Sequence, residues 1–409
     1  MKSSRSFFVF SAAGKWAFVL AILMIFSSRS DYRLPVAGLL VHPYLILLPF
    51  AFLFSGFRFQ LFPNRILTPI ILFFILFCVA SLQNDKPQSE IFKVAASLIT
   101  FIYFSASVRS ESDFTWVSWA LLLCALSIGV QGFLVAEETD SAATRLAGIN
   151  VLEGIGNKNA QSLFTLPGIF LGSVMLLRAI GGRKFGEIVV LSLALFVILI
   201  SMFLSGNRSG WLGLLVIFIA MLVITGLRPR AILFSLVILG LTYVAIGQYA
   251  SDIVERKREQ TTSGYSSDIG RRMLMVESMR VGLEHPFLGV GMDELHRQLA
   301  LRLEANRFGI FKMDSHFLPG YLFGATGIFT TVLFAAFMIR LTHRRKDMVG
   351  SYVAVKQARL LVVSFVILFV VRSLFSREIL YSPTFLSGLG LVFGYYRLQI
   401  SKAVKEING

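Results

Sequence analysis

Residues 186–226, GEIVVLSLALFVILISMFLSGNRSGWLGLLVIFIAMLVITG, contain two long apolar runs separated by one short polar link. An apolar run of about 20 residues is long enough to cross the hydrocarbon core of a bilayer as a helix. The link, SGNRSG at residues 205–210, leaves room only for a tight connection. The stretch therefore predicts two consecutive membrane helices, with Arg208 at the turn between them.

The rest of the chain has the same character. Of its 409 residues, 56% are hydrophobic and 15% are charged, whereas soluble domains are about a quarter charged. Apolar runs that predict membrane helices cover residues 7–26, 34–55, 66–82, 91–108, 114–136, 159–179, 186–204, 209–226, 231–250, 317–339, 357–375 and 380–396. We therefore expect an all-α integral membrane protein of about 12 transmembrane helices, folded as a single membrane domain over residues 1–409.

Lysine and arginine are concentrated in alternate connections between these runs. The basic connections and ends contain Lys2, Arg5, Arg58, Arg65, Arg109, Arg178, Arg183, Lys184, Arg228, Arg230, Arg340, Arg344, Arg345, Lys346, Arg397, Lys402 and Lys405. Acids largely balance bases in the others, which are residues 83–90, 137–158, 205–208, 251–316 and 376–379. The positive-inside rule then places both termini in the cytoplasm. Basic loops that face anionic lipid also explain the net charge of +16, so no nucleic-acid partner is expected.

Residues that typically bind metals are few and scattered. Cys78 and Cys124 both lie inside apolar runs, which excludes a disulfide framework and a cysteine-based metal site. The histidines show no paired ligand spacing, and the phosphate-loop and dinucleotide patterns are missing. We therefore expect neither a metal nor a cofactor.

Residues 251–316 form the large outside loop, inserted between the ninth and tenth predicted helices. Its segment 269–285 predicts an amphipathic helix with an inward-facing apolar stripe, followed by a Gly-bearing turn after Pro286. The stripe consists of Met275, Val276, Met279 and Leu283. A second amphipathic stretch covers residues 292–307.

Arginines on the outside face need an explanation, because the positive-inside rule disfavours them there. Arg208 lies at a helix start, where a guanidinium and backbone N–H groups favour an anion such as a phosphate. Pairing with a lipid headgroup phosphate is the alternative explanation. In the large loop, a helical projection puts Arg272 inside the apolar stripe and Arg271 at its edge. The partner of either is an internal acid, Glu255 or Asp268, or a substrate diphosphate.

His316 lies where the large loop re-enters the membrane, two residues after Asp314. Histidine exchanges a proton near neutral pH, and Asp314 is close enough in sequence to orient it. A lone interfacial histidine is more often structural than catalytic, so both roles stay open. Gly320, Gly324 and Gly327 in the following helix permit close helix packing.

The outside loop 137–158 contains Arg145 and leads into GIGNKNAQ, residues 154–161. Asn157 and Asn159 in this polar turn are able to hold sugar or phosphate groups. They are equally able to cap the start of a helix.

These motifs together resemble the O-antigen ligase and polymerase superfamily. The resemblance rests on two short polar segments, SGNRSG and GIGNKNAQ. It also rests on Arg271 before an amphipathic helix that ends in HPFLGVG, and on His316 before a Gly-containing helix. It covers roughly residues 140–335. Many relatives have Asn directly after this His, whereas Phe317 stands here.

The resemblance to O-antigen ligases implies a metal-independent glycosyltransferase at the periplasmic face of a bacterial inner membrane. Its donor would be a glycan on undecaprenyl diphosphate, and its acceptor would be lipid A–core. Carried over by position, Arg208 and Arg271 would bind the donor diphosphate, and His316 would deprotonate the acceptor hydroxyl. Arg272 is kept beside Arg271, because the projection favours it as the inward residue.

Two other functions are compatible with the same features. A polymerase of the same superfamily would use the same donor with a lipid-linked glycan as acceptor. A transporter or flippase would place its charged residues along a path through the bundle. The singled-out residues lie on the outer face instead, which favours a transferase.

Overall fold

The computed structural model describes residues 11–28, 34–36, 39–56, 64–82, 87–138, 158–204, 208–226, 267–303, 313, 315–343 and 353–408. Its α-helices are α1 (Ala12–Leu23), α2 (Pro43–Phe54), α3 (Asn64–Ser81), α4 (Pro87–Ser107), α5 (Glu111–Glu138), α6 (Lys158–Gly181), α7 (Phe185–Leu204), α8 (Arg208–Thr225), α9 (Ser267–Glu284), α10 (Met292–Arg302), α11 (Leu318–Thr342), α12 (Val353–Ser373) and α13 (Pro383–Asn408). Two 3-10 segments, Met24–Ser28 and Arg377–Tyr381, and the strands β1 (Leu34–Val36) and β2 (Leu39–Val41) complete the regular structure of this part of the chain.

Seven helices of the described residues are long and apolar enough to cross a membrane. They lie within α3, α4, α5, α6, α7, α11 and α12, and three shorter apolar helices cover Ala12–Phe26, Pro43–Phe54 and Ser209–Thr225. The predicted all-α membrane fold is thereby confirmed. The predicted number of about 12 spans stays a prediction, because the run 231–250 lies outside the described residues and α13 is not among these seven helices.

The second predicted run, residues 34–55, is only partly helical. Leu34–Val36 pairs antiparallel with Leu39–Val41, and α2 begins at Pro43. Pro35 removes a backbone donor and disfavours a helix across the hairpin, whereas Pro43 suits a first helical turn. The prediction of a helix from residue 34 was therefore wrong for Leu34–Val36 and Leu39–Val41.

Glycines allow the central helices to pack closely. In α13, a Cβ on Gly390 would lie 2.6 Å from the Phe101 carbonyl oxygen of α4, and one on Gly394 would lie 2.4 Å from the Ser105 carbonyl oxygen. Small residues of this kind let helix backbones approach in a membrane, where dispersion contacts replace the hydrophobic effect. Residues of both helices belong to the buried core.

Helix α9 turns a different face to the bundle from the one predicted. The side chains of the predicted inward stripe are exposed, with Met275 at 42%, Val276 at 49%, Met279 at 36% and Leu283 at 71%. Leu274, Ser278, Val281 and Gly282 are buried instead. A Cβ on Gly282 would lie 2.4 Å from the Phe323 ring, so only a small residue fits against α11 there.

The turn after α9 is hydrogen-bonded into a break in α11. Gly327 has φ 81° and ψ 178°, which interrupts the helix. The N–H of Ile328 donates to the Pro286 carbonyl at 2.7 Å, the N–H of Val290 donates to Gly324 at 3.0 Å, and the N–H of Gly291 donates to Ala325 at 2.9 Å. Irregular backbone at membrane depth is stable only when such groups are satisfied by protein. The break therefore fastens the large loop to a membrane helix.

Changing Gly327 to alanine is expected to destabilise the protein strongly. A Cβ there would lie 2.0 Å from the Phe287 carbonyl oxygen, and the positive φ is unfavourable for any L side chain. We expect a loss of about 3 kcal/mol or more in unfolding free energy. The thermal midpoint of the detergent-solubilised protein measures this. Gly186→Ala is the control, because nothing lies within 4 Å of a Cβ at that position; equal midpoints for the two variants would contradict the prediction.

Candidate functional site

A pair of buried serines brings the chain before α11 against α9. Ser315 Oγ donates to Ser278 Oγ at 3.3 Å, and both residues are fully buried. His316 follows directly and is half-buried. Arg271 lies seven residues before Ser278, about two helical turns or roughly 10 Å along the axis. His316 is thus set beside the buried face of the helix that carries Arg271.

The two arginines at the start of α9 have different surroundings. Arg271 is half-buried and lies three residues before the buried Leu274 and seven before the buried Ser278, so the three share one face. Arg272 is exposed. Arg272 shares the exposed face of the apolar stripe, so the prediction that this face, and Arg272 with it, points inward was wrong.

Arg372, near the end of α12, is a site residue that the sequence analysis missed. Its guanidinium is fully buried, and Nη1 donates to Ser209 Oγ at 2.5 Å while Nη2 donates to Ser162 Oγ at 2.8 Å. Ser209 follows Arg208 at the start of α8, and Ser162 lies near the start of α6. An arginine inside an apolar run was the available signal, because charge at membrane depth needs internal partners.

Two further charged groups act on this guanidinium. Glu378, in the 3-10 segment after α12, attracts Arg372, and Arg271 of the large loop repels it. The starts of α6, α8 and α9 and the end of α12 therefore lie at the same end of the bundle, which we call the site end. Two predicted candidates belong to the site end. Arg208 contributes its backbone at the start of α8, and Arg271 contributes its charged side chain.

The remaining predicted residues are described less fully. Arg208 is the first residue of α8 and Asn159 the second of α6, but the side chains of both lie outside the described part of the structure. Arg145, Asn157, Asp314 and Glu255 also lie outside it, as does the side chain of Asp268. The roles predicted for these residues stay predictions.

Tyr321, about one helical turn after His316, forms a cluster with Tyr381 and Arg377. The hydroxyls of Tyr321 in α11 and Tyr381 are 3.0 Å apart, and the Arg377 guanidinium lies 4.5 Å from the centre of the Tyr321 ring. Burial raises the pKa of Tyr381 well above its ordinary value, so its phenol stays protonated and the hydrogen bond persists. The Tyr321 N–H donates to the Phe317 carbonyl at 2.9 Å, which fixes the segment that carries His316.

Ion pairs hold the loop helices together above the bundle. Arg302 of α10 binds Glu284 of α9 through both carboxylate oxygens and lies 3.6 Å from Glu277. Hydrogen bonds from Arg302 lower the pKa of Glu284, so this pair remains charged at neutral pH. The Met313 N–H donates to the His296 carbonyl at 3.0 Å, which ties the returning chain to α10. The helix predicted over 292–307 is confirmed over 292–302.

The arrangement combines guanidinium groups with a half-buried imidazole. Guanidiniums bind phosphate oxygens through paired hydrogen bonds, and an imidazole exchanges protons near neutral pH. Among the described residues, no group of three or more His, Cys, Asp or Glu is placed to hold a metal ion; metal independence of the reaction stays a prediction. The site end is therefore suited to an anionic substrate and to proton transfer.

Comparison with known proteins agrees with this chemistry. Residues 193–335 match the O-Antigen ligase family (Wzy_C). The matched segment contains Arg208, Arg271 and His316, together with α8 to α10 and the broken part of α11. No curated protein matches the chain significantly. Within residues 193–335, the chain is thus similar to the O-antigen ligase family.

Proposed function

We propose that the protein is an O-antigen ligase that transfers a glycan from undecaprenyl diphosphate to lipid A–core at the periplasmic face of a bacterial inner membrane. The family implies an activity of the O-antigen ligase or polymerase type on lipid-linked glycans. The observation that carries the proposal is that one matched segment contains Arg208, Arg271 and His316. Its residue Ser278 also bonds Ser315, the neighbour of His316.

In the proposed reaction, Arg208 and Arg271 bind the diphosphate of the donor. His316 takes the proton of an acceptor sugar hydroxyl, whose oxygen attacks the anomeric carbon of the donor glycan. The bond from that carbon to the diphosphate oxygen breaks, and undecaprenyl diphosphate leaves with the electron pair. Attack from the side opposite the leaving group inverts the anomeric centre.

The two proposed roles supply different parts of the rate. Guanidiniums that neutralise charge developing on the leaving diphosphate are worth several kcal/mol in a site that excludes water. A positioned general base contributes about 10²–10⁴-fold. Because the diphosphate is already a good leaving group, these two effects are sufficient and no metal is required by the mechanism.

Ligase and polymerase differ in the acceptor, so an assay with both acceptors distinguishes them. Purified protein is incubated with lipid-linked donor and either lipid A–core or a second lipid-linked repeat, with protein-free liposomes as control. We expect glycan on lipid A–core and no ladder of polymerised repeats. A ladder without core product would replace the ligase proposal with a polymerase, whose donor site would be the same.

A further inference from the structure

We propose that Arg372 is a positioning residue of the donor diphosphate site, a role that rests on the function proposed above. It lies outside the segment matched by the family. Its guanidinium connects the start of α8, where Arg208 stands, with the start of α6. Through Ser209 it sets where Arg208 meets the diphosphate.

The geometry of the bonds supports this role. Arg372 holds Ser209 at 2.5 Å and Ser162 at 2.8 Å with its two terminal nitrogens. A planar guanidinium offers these donors in a fixed fork, so the two hydroxyls cannot move independently of each other. Since Ser209 is the residue next to Arg208, the fork also constrains the first turn of α8.

Stability alone does not account for an arginine here. Placing a charge in a buried position carries a desolvation penalty, and well-packed apolar residues of similar volume are often equally or more stable. Arg372 is fully buried. The hydrogen bonds that its charge makes to Ser209 and Ser162, rather than packing, therefore distinguish it from an apolar residue at this position.

The charges around Arg372 also favour an anion at the site end. Glu378 attracts Arg372 and Arg271 repels it, and Arg208 directly precedes Ser209, the hydrogen-bond partner of Arg372. Like charges held together are stabilised when an anion binds between or beside them. A lipid-linked diphosphate is an anion of this kind, and its polyprenyl chain is compatible with a site at the end of a membrane bundle.

Steady-state kinetics of Ser209→Ala and Arg372→Lys test the positioning role. Ser209→Ala removes one of the two hydrogen bonds of the fork, and Arg372→Lys removes the fork but keeps the positive charge. We expect the donor KM to rise by about tenfold or more while the KM for the acceptor is unchanged. A purely structural role would instead lower the thermal midpoint without a selective effect on the donor. Unchanged donor KM in both variants would overturn the proposal.

A double variant tests whether Arg372 acts through Arg208. When Arg208→Ala is combined with Arg372→Lys, we expect the effect on donor KM to be smaller than the product of the two single effects. Full multiplicativity would mean that the two residues act independently and would overturn the positioning role. Arg359→Lys is the matched control, because Arg359 lies in the same helix and bonds the Thr342 carbonyl far from the site.

A binding measurement separates this proposal from the proposed function. The thermal stabilisation of each solubilised variant by farnesyl diphosphate, with farnesyl monophosphate as comparison, requires no glycan transfer. Stabilisation by the diphosphate that is lost in Ser209→Ala and Arg372→Lys but kept in Arg359→Lys supports the role of Arg372. Equal stabilisation of all four proteins would overturn it. Failure of the unmodified protein to transfer glycan would instead count against the ligase proposal alone.

Discussion

Replacing His316 with alanine is expected to lower the rate of glycan transfer by about 10²–10⁴-fold, because it removes the proposed general base. The loss should appear in kcat, with little change in donor KM, since the diphosphate is bound by other residues. Initial rates with purified protein in liposomes measure both constants. His316→Gln should be equally inactive, because an amide keeps hydrogen bonding but does not accept the proton.

His343→Ala is the matched control, since His343 lies at the other end of α11 and is exposed. We expect wild-type rates for it. In cells, the His316 variant should accumulate donor on the outer face of the membrane. Donor that accumulates only on the cytoplasmic side would show that the protein moves lipid rather than joins glycan. A His316→Ala variant with more than a tenth of the wild-type kcat would remove the histidine from the mechanism.

The second large effect is expected at Arg271. Arg271→Ala should lower kcat/KM for the donor by about 10²-fold or more, because it removes a charged contact to the leaving diphosphate. Arg272→Ala should change the same constant by less than about fivefold, the effect typical of an exposed charge. The difference follows from the structure, in which Arg271 lies on the buried face of α9 and acts on Arg372, whereas Arg272 is exposed.

Arg280→Ala is a suitable control for nonspecific loss of positive charge. Arg280 is an exposed residue of the same helix that pairs with Glu277 at 2.9 Å. If Arg272→Ala proves the more damaging of the two neighbouring variants, the donor site must lie on the other face of α9. Salt dependence adds a further check, because a contact to a diphosphate weakens as ionic strength rises.

The large features of the fold follow from the sequence because each depends on local composition. Apolar length predicts α7 and α8, whereas residues 205–207 of the link between them lie outside the described residues. Hydrophobic periodicity predicts that α9 is a helix, but it does not tell which face meets the bundle. In a membrane protein an apolar stripe is as stable against lipid as against protein, so the small residues Ser278 and Gly282, rather than Met275 and Met279, mark the packed face.

From the sequence, candidate site residues could be picked out only one at a time. Arg208, Arg271 and His316 stand out because each is a polar group at an unusual place in the chain. Arg372 was missed because its partners are distant in sequence, 163 residues away for Ser209 and 210 for Ser162. No periodicity or motif connects such positions, and only the packing of α6, α8 and α12 brings them together.

The glycines after His316 show a similar limit. Gly320 and Gly324 permit close packing as predicted, since a Cβ on either would lie within 3 Å of atoms of Ser278. Gly327 has a different role, because it breaks the helix and accepts the turn that follows α9. Small-residue spacing alone does not distinguish a packing glycine from one that interrupts a helix.

The hydrogen bonds between residues 286–291 and the break in α11 also limit which segments can be swapped between related proteins to make a chimera. The turn and the helix are two halves of one interface, joined by backbone groups with almost no space for a side chain at Gly289 or Gly327. A chimera that took its loop from one parent and its membrane helix from another would therefore have to match both halves. The continuous segment from α9 through the second half of α11 should therefore be exchanged as one piece.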